Sequence, residues 1–199
     1  MLDPQDVIDR AATAAKEASA DRLNAVVAIT VAILATFLGI CKVKDDNIVQ
    51  SMQQAQVDKL DYWAYYQARN IRADVAAATA TQLELAKLSA PPAQAAAYDT
   101  AIESYRAKAA DQLKKRDELR VLAETAQKNY TDLNKRDDQF DLSDALLAIA
   151  IALLAVTALT HLWPLFVMAM LPTVAGVVMG MAGLMNLAIH PNMLFKLLS

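Results

Sequence analysis

Polar and apolar positions divide the chain into blocks of different character. Residues 23–41 contain no Asp, Glu, Lys or Arg, and neither do residues 145–195. A hydrocarbon core of ~30 Å takes about 20 apolar residues per helix, so the first block predicts one membrane crossing and the second has length for two. His161-Leu162-Trp163-Pro164 divides the longer block, supplying a polar group, an interfacial aromatic and a helix breaker where a tight turn is needed. The expectation is an all-α integral membrane protein. Its transmembrane helices are predicted at 23–43, 143–162 and 165–189, after an amphipathic amino-terminal tail over 1–22 and before a carboxyl tail at 190–199.

Residues 44–142 follow a different rule. Tyr98, Ile102, Tyr105, Ala109, Gln112, Arg116, Leu119, Ala123, Ala126, Tyr130, Leu133, Asp137 and Phe140 recur in alternating steps of four and three, the seam of a coiled coil with three polar members. In the preceding arm the apolar set Ile48, Met52, Ala55, Tyr62, Trp63, Tyr66, Ile71, Val75, Ala78 and Leu83 drifts around the helix, as a period nearer 3.6 would produce. Ser89-Ala90-Pro91-Pro92 is the one strong breaker, because prolines disfavour helix in the residues before them. A long antiparallel helical hairpin with its turn near 89–93 is therefore predicted, about 65–70 Å tall at 1.5 Å per residue. Position i then lies opposite about 182 − i on the other arm, which sets Trp63 against Leu119, Tyr66 against Arg116 and Asp45 near Asp137, with both arms entering the membrane together.

Small residues suggest how the spans pack. Ala25, Ala28, Ala32, Ala35 and Gly39 form a stripe on the first span, and Ala145, Ala148, Ala152 and Ala155 form one on the second. Such stripes let backbones approach closely in lipid. Both are expected to pack within the chain, whereas Gly176, Gly180 and Gly183 on the third span are expected to face a neighbouring copy in a homo-oligomer.

Composition narrows the chemistry. The 199 residues include 40 alanines and only four glycines, which disfavours a β-rich fold. One cysteine and two histidines exclude a disulfide framework and leave little for a zinc site. Cys41 is expected to be structural. A net charge of −3 argues against nucleic acid as a partner. The 22 polar residues before the first apolar block are net acidic, unlike the basic start of a signal peptide, so that block is expected to stay as a permanent span.

Two local clusters stand out. Tyr62, Trp63 and Tyr66 form an aromatic strip on one helix face, with Arg116 placed by the register to stack on it; the strip can serve as a docking surface or as packing between the arms. Asp137, Asp141 and Asp144 share a face just before the second span, with Asp45 and Asp46 nearby on the other arm. Carboxylates so placed can hold a hard cation or ring a pore mouth, while Lys42, Lys44, Lys135 and Arg136 point instead to a mixed-charge collar at the lipid surface. No phosphate loop, HExxH or CxxC motif occurs, and no ionisable residue lies deep in a span, so neither an enzyme nor a coupled transporter is expected. No cofactor or metal is expected either.

The alanine-rich first span followed by Leu60-Asp61-Tyr62-Trp63-Ala64-Tyr65-Tyr66-Gln67-Ala68-Arg69 resembles the bacterial membrane family called domain of unknown function 4337. Arg69 stands where the family's pattern has lysine, which keeps the charge and changes its geometry. The resemblance implies a bacterial inner-membrane protein without an assigned activity, and it lends no catalytic residues. The leading expectation for function is a non-enzymatic, oligomeric membrane scaffold presenting its hairpin to a protein partner. An oligomeric channel and a regulatory subunit of a larger membrane complex are the alternatives. Basic residues near the membrane favour a cytoplasmic hairpin.

Overall fold

In the computed structural model the described residues are 4–187, with side chains from residue 12 onward. Within them the chain is all helix: α1 (Pro4–Lys87), a short 3₁₀ turn (Pro92–Gln94), α2 (Ala95–Thr160) and α3 (Trp163–Met185). The carboxyl tail expected at 190–199 lies outside the described residues. Each of the three α-helices contains a stretch long and apolar enough to cross a membrane.

The breaks have local causes. After Lys87 the backbone N–H groups of Leu88, Ser89 and Ala90 bond back three residues, tightening the last turn of α1 before Pro91 and Pro92. The second break differs from expectation in detail. His161 takes φ 54 and ends α2, while Trp163 and Pro164 open α3, because a proline in the first helical turn forfeits no hydrogen bond. Pro164 is thus an initiator, and the breaker is the left-handed His161. At the far end Asn186, with φ 56, caps α3 and the Leu187 N–H bonds to the Ala182 carbonyl.

Two compact units share the long helices. One comprises Gln50–Asp132, the other Met1–Val49 with Leu133–Ser199. In Gln50–Asp132, side chains of α1 and α2 meet at Lys59–Gln127 (2.9 Å), Arg69–Gln112 (2.9 Å), Asn70–Arg116 (3.0 Å) and Glu84–Arg106 (2.7 Å), and Lys87 pairs with Asp99 beside the turn. Arg69–Gln112 falls within one residue of the 182 − i register, whereas Lys59–Gln127 and Asn70–Arg116 fall one helical turn beyond it. The two ion pairs, Glu84–Arg106 and Lys87–Asp99, contribute about 0–1 kcal/mol each where exposed, and the three hydrogen bonds to amides about 1 kcal/mol each, so they trim the contact and burial holds it. All seam positions from Tyr98 to Phe140 are buried or half-buried. On α1 the expected Ile48, Met52, Ala55, Tyr62, Trp63, Tyr66 and Leu83 are buried or half-buried, but between Tyr66 and Leu83 the packed face is Ala73, Ala76 and Ala80, while Ile71 and Val75, expected there, are each 61% exposed. Alanine permits the close helix approach that the larger side chains would prevent.

In the other unit the expected roles of the small residues are exchanged. Gly176, Gly180 and Gly183 are all buried within the chain. A Cβ added at Gly176 would lie 2.8 Å from the Leu147 side chain; at Gly180, 2.7 Å from Ser143 Oγ and 2.8 Å from the Phe37 ring; at Gly183, 2.8 Å from Phe140. The glycine face of α3 is therefore occupied by α2 and by Phe37 of α1, and the expectation that it meets a neighbouring copy is corrected. The alanine stripes, expected inside, are exposed at Ala25, Ala28, Ala32, Ala35, Gly39, Ala145, Ala148, Ala152 and Ala155. Their place in the core is taken by Leu23, Val27 and Leu34 of α1 and Leu147 and Leu154 of α2, packed with Ala169 of α3. Thr30, Thr36, Thr157, Thr160 and Thr173 each donate to the carbonyl four residues back, so these hydroxyls ask nothing of a neighbouring helix.

The glycine contacts are testable. Gly180→Leu should lower the thermal stability of the detergent-solubilised chain by at least about 1–3 kcal/mol, the usual cost of overpacking. Gly39→Ala, with nothing within 4 Å of the added methyl, should be neutral or stabilising. Equal effects of the two substitutions would contradict the packing described.

Candidate functional site

The aromatic cluster is assembled by helix spacing. Trp63 and Tyr66, three apart on α1, meet edge-to-face with ring centroids 5.3 Å apart and planes at 72°. From α2 the Arg116 guanidinium sits 5.7 Å from the Tyr66 centroid, held by a 3.0 Å hydrogen bond from Nη1 to Asn70 Oδ1 and by an ion pair to Asp117. The structure thus brings Trp63, Tyr66 and Arg116 together. Tyr62 lines a separate, more polar groove of about 450 Å³ with Asp58, Leu122, Thr125 and Asn129. Trp63 and Tyr66 are half-buried and Tyr65 is 59% exposed, so the strip is shared between the contact of the arms and the surface.

A surface feature that the sequence reading did not single out lies further along. Ile71 and Val75, absent from the seam, form with Ala76, Tyr105, Arg72 and Lys108 a groove of about 350 Å³. Lys108 Nζ lies 4.7 Å from the Tyr105 ring centroid. The signal available in the sequence was the alanine register itself: once Ala73, Ala76 and Ala80 are chosen as the packed face, Ile71 and Val75 must point away.

The acidic cluster belongs to the other unit. Asp45 of α1 is 4% exposed, takes a 2.8 Å hydrogen bond from Lys42 Nζ on Oδ2, and leaves Oδ1 buried with no donor. Asp137 of α2 lies within hydrogen-bonding range of Asp45; burial first, then the charge of Asp141 and the contact with Asp45, push its carboxyl up to about 6. Asp141 is also raised, by burial and then by Asp45, against the opposing pull of Lys42. Asp46 pairs loosely with Lys42 at 3.7 Å. Asp144 is half-buried one turn beyond Asp141, on the same helix face. Arg136, expected in a collar with the acids, turns its Nη2 to the Gly183 carbonyl at 3.0 Å and so ties α2 to α3. Among the described residues no three of these side chains are arranged to hold a metal ion.

The aromatic site yields a direct test. Stacking on Tyr66 and the bond to Asn70 are each worth on the order of 1 kcal/mol, so Arg116→Ala should destabilise the chain by about 1–2 kcal/mol in denaturant titration. Arg116→Lys should recover part of that loss, since an ammonium can stack but lacks the planar fork. No loss in the alanine variant would remove Arg116 from the set of structural contacts.

Comparison with known proteins adds one result. No curated protein and no solved structure matches the chain. The family described as a domain of unknown function (DUF4337) matches residues 23–186, which include all three apolar stretches and everything between them. With that much of its length matched, the chain belongs to the DUF4337 family.

Proposed function

We propose that this chain is a non-enzymatic scaffold of the bacterial inner membrane, anchored by three spans, which self-associates and presents an antiparallel helical hairpin to a protein partner. The observation that carries the reading is an apolar groove of about 480 Å³ between α1 and α2, into which the displaced alanine stripe of α1 opens, with Ala155 of the second stripe. Ala28, Ala32 and Ala35 line one wall and Ile151, Ala155 and Ala158 the other. Small side chains at a helix surface are where backbones associate in lipid. Asn24 lies at the same groove. The Ile71–Val75 groove, with basic Arg72 and Lys108 beside it, supports a partner that pairs aliphatic with acidic side chains.

Self-association is tested by Ala28→Leu combined with Ala32→Leu, which fills the groove. Native mass measurement from mild detergent should show a smaller species than wild type with unchanged helix content. Retention of the wild-type mass would remove the groove from assembly. Wild-type oligomers should carry no ion conductance in liposomes; conductance would favour a channel.

The proposed orientation has the hairpin cytoplasmic, because Lys42, Lys44, Lys128, Lys135 and Arg136 flank the spans on its side against Arg10, Lys16 and Arg22 on the amino-terminal side. A cysteine at Ala90, beside the turn, in a Cys41→Ser background should resist a membrane-impermeant thiol reagent applied to intact cells. Modification from outside would reverse the orientation.

A further inference from the structure

Two carboxyl groups meet across α1 and α2, and one of them keeps a buried oxygen that the chain leaves without a donor. Asp45 is 4% exposed and its Oδ1 has no donor, although its Oδ2 is served by Lys42. Asp137 approaches it from α2 to hydrogen-bonding range. Two ionised carboxylates are acceptors only and cannot bond to each other. One proton supplies the missing donor and removes one of two like charges. We propose that Asp45 and Asp137 form a single-proton binding site that clamps α1 to α2 when occupied and loosens that contact when empty.

The surroundings set the balance. On α2, Asp138 and Asp141 add negative charge around Asp137. From α1, Asp45 is the facing acid, Asp46 lies beyond it, and Lys42 is the cation, committed to Asp45 at 2.8 Å and to Asp46 at 3.7 Å. Lys44 and Lys135 flank the site in sequence and are exposed. Arg136 is turned to the Gly183 carbonyl. The α3 segment brings no titratable side chain. Negative groups therefore outnumber the cations that face Asp137, which favours the protonated form.

The direction follows from proton linkage. The carboxyl of Asp137 stands at about 6 in the folded chain against an ordinary 3.8, so the packed state binds the extra proton. The clamp is complete below pH 3.8 and is lost as pH rises towards 6, with the equilibrium for helix separation rising at most tenfold per pH unit over that interval and levelling off above it.

Two readouts on the full chain in liposomes test this. In the infrared, the carbonyl band of a protonated carboxyl should be present at pH 5, disappear with a midpoint near 6, and be missing in Asp137→Asn at pH 5. In Asp141→Asn the midpoint should move down, because a like charge has gone. Spin labels at Val43 and Ala145 in the Cys41→Ser background should give a separation that lengthens or broadens through the same midpoint, and Asp137→Asn should hold it short at every pH. A wild-type chain with no such band at pH 5, a band that survives in Asp137→Asn, or a label distance insensitive to pH would overturn the proposal.

Discussion

The structure depends on how closely α3 can approach α2. At Gly180 a single Cβ would collide with both Ser143 of α2 and Phe37 of α1, so three helices converge where one residue has no side chain. Ser143 Oγ donates to the Gly176 carbonyl at 2.8 Å, fully buried. Carbonyl acceptance across a helix interface needs the backbones near enough for a short side chain to bridge them. Everything else in that unit follows from which face of α2 is spent on this contact.

Once α3 has taken the Phe140–Ser143–Leu147 face, the alanine faces of α1 and α2 are left exposed among the described residues. Ala28, Ala32 and Ala35 of one and Ala155 of the other line the groove between α1 and α2, the surface proposed for association. The same logic separates the two units. Around residues 50–132, where water replaces lipid in the proposed arrangement, burial of apolar area contributes about 25 cal/mol per Å², and Ala73, Ala76 and Ala80 of α1 and Ala123 and Ala126 of α2 are buried there. In the proposed spans that driving force is absent, and close contact with hydrogen bonds to backbone carbonyls takes its place.

The polar residues near the proposed membrane surface divide the work. Arg136 and Gln139 bond carbonyls at the end of α3, at Gly183 and Leu187, which secures the one helix that lacks a long arm. Lys42 answers Asp45. Asp137 is left with acidic neighbours, so the same region that anchors α3 also carries a proton-sensitive contact. Stability and responsiveness thus lie within two turns of α2.

Much of this was legible in the sequence, for a physical reason. Uncharged blocks of 19 and 51 residues mark the three helices long and apolar enough to cross a membrane, paired prolines after Ala90 stop any helix, and the four-three spacing from Tyr98 to Phe140 follows from helix geometry alone. These fixed the element order, the turn and the meeting of Tyr66 with Arg116 and of Asp45 with Asp137. Beyond Phe140 the spacing slips by one residue: the buried set becomes Ser143, Leu147, Ala150, Leu154 and Thr157, of which the continued seam gives only Leu147 and Leu154. What no periodicity could decide was which small-residue face meets which. Ala28, Ala155 and Gly180 are all compatible with close packing, and a stripe records only that an approach is permitted. The choice among partners belongs to three-dimensional fit: Phe37, Phe140 and Leu147 fill the hollow over the glycines, and the alanine faces are left outside because a helix can give each face to only one neighbour.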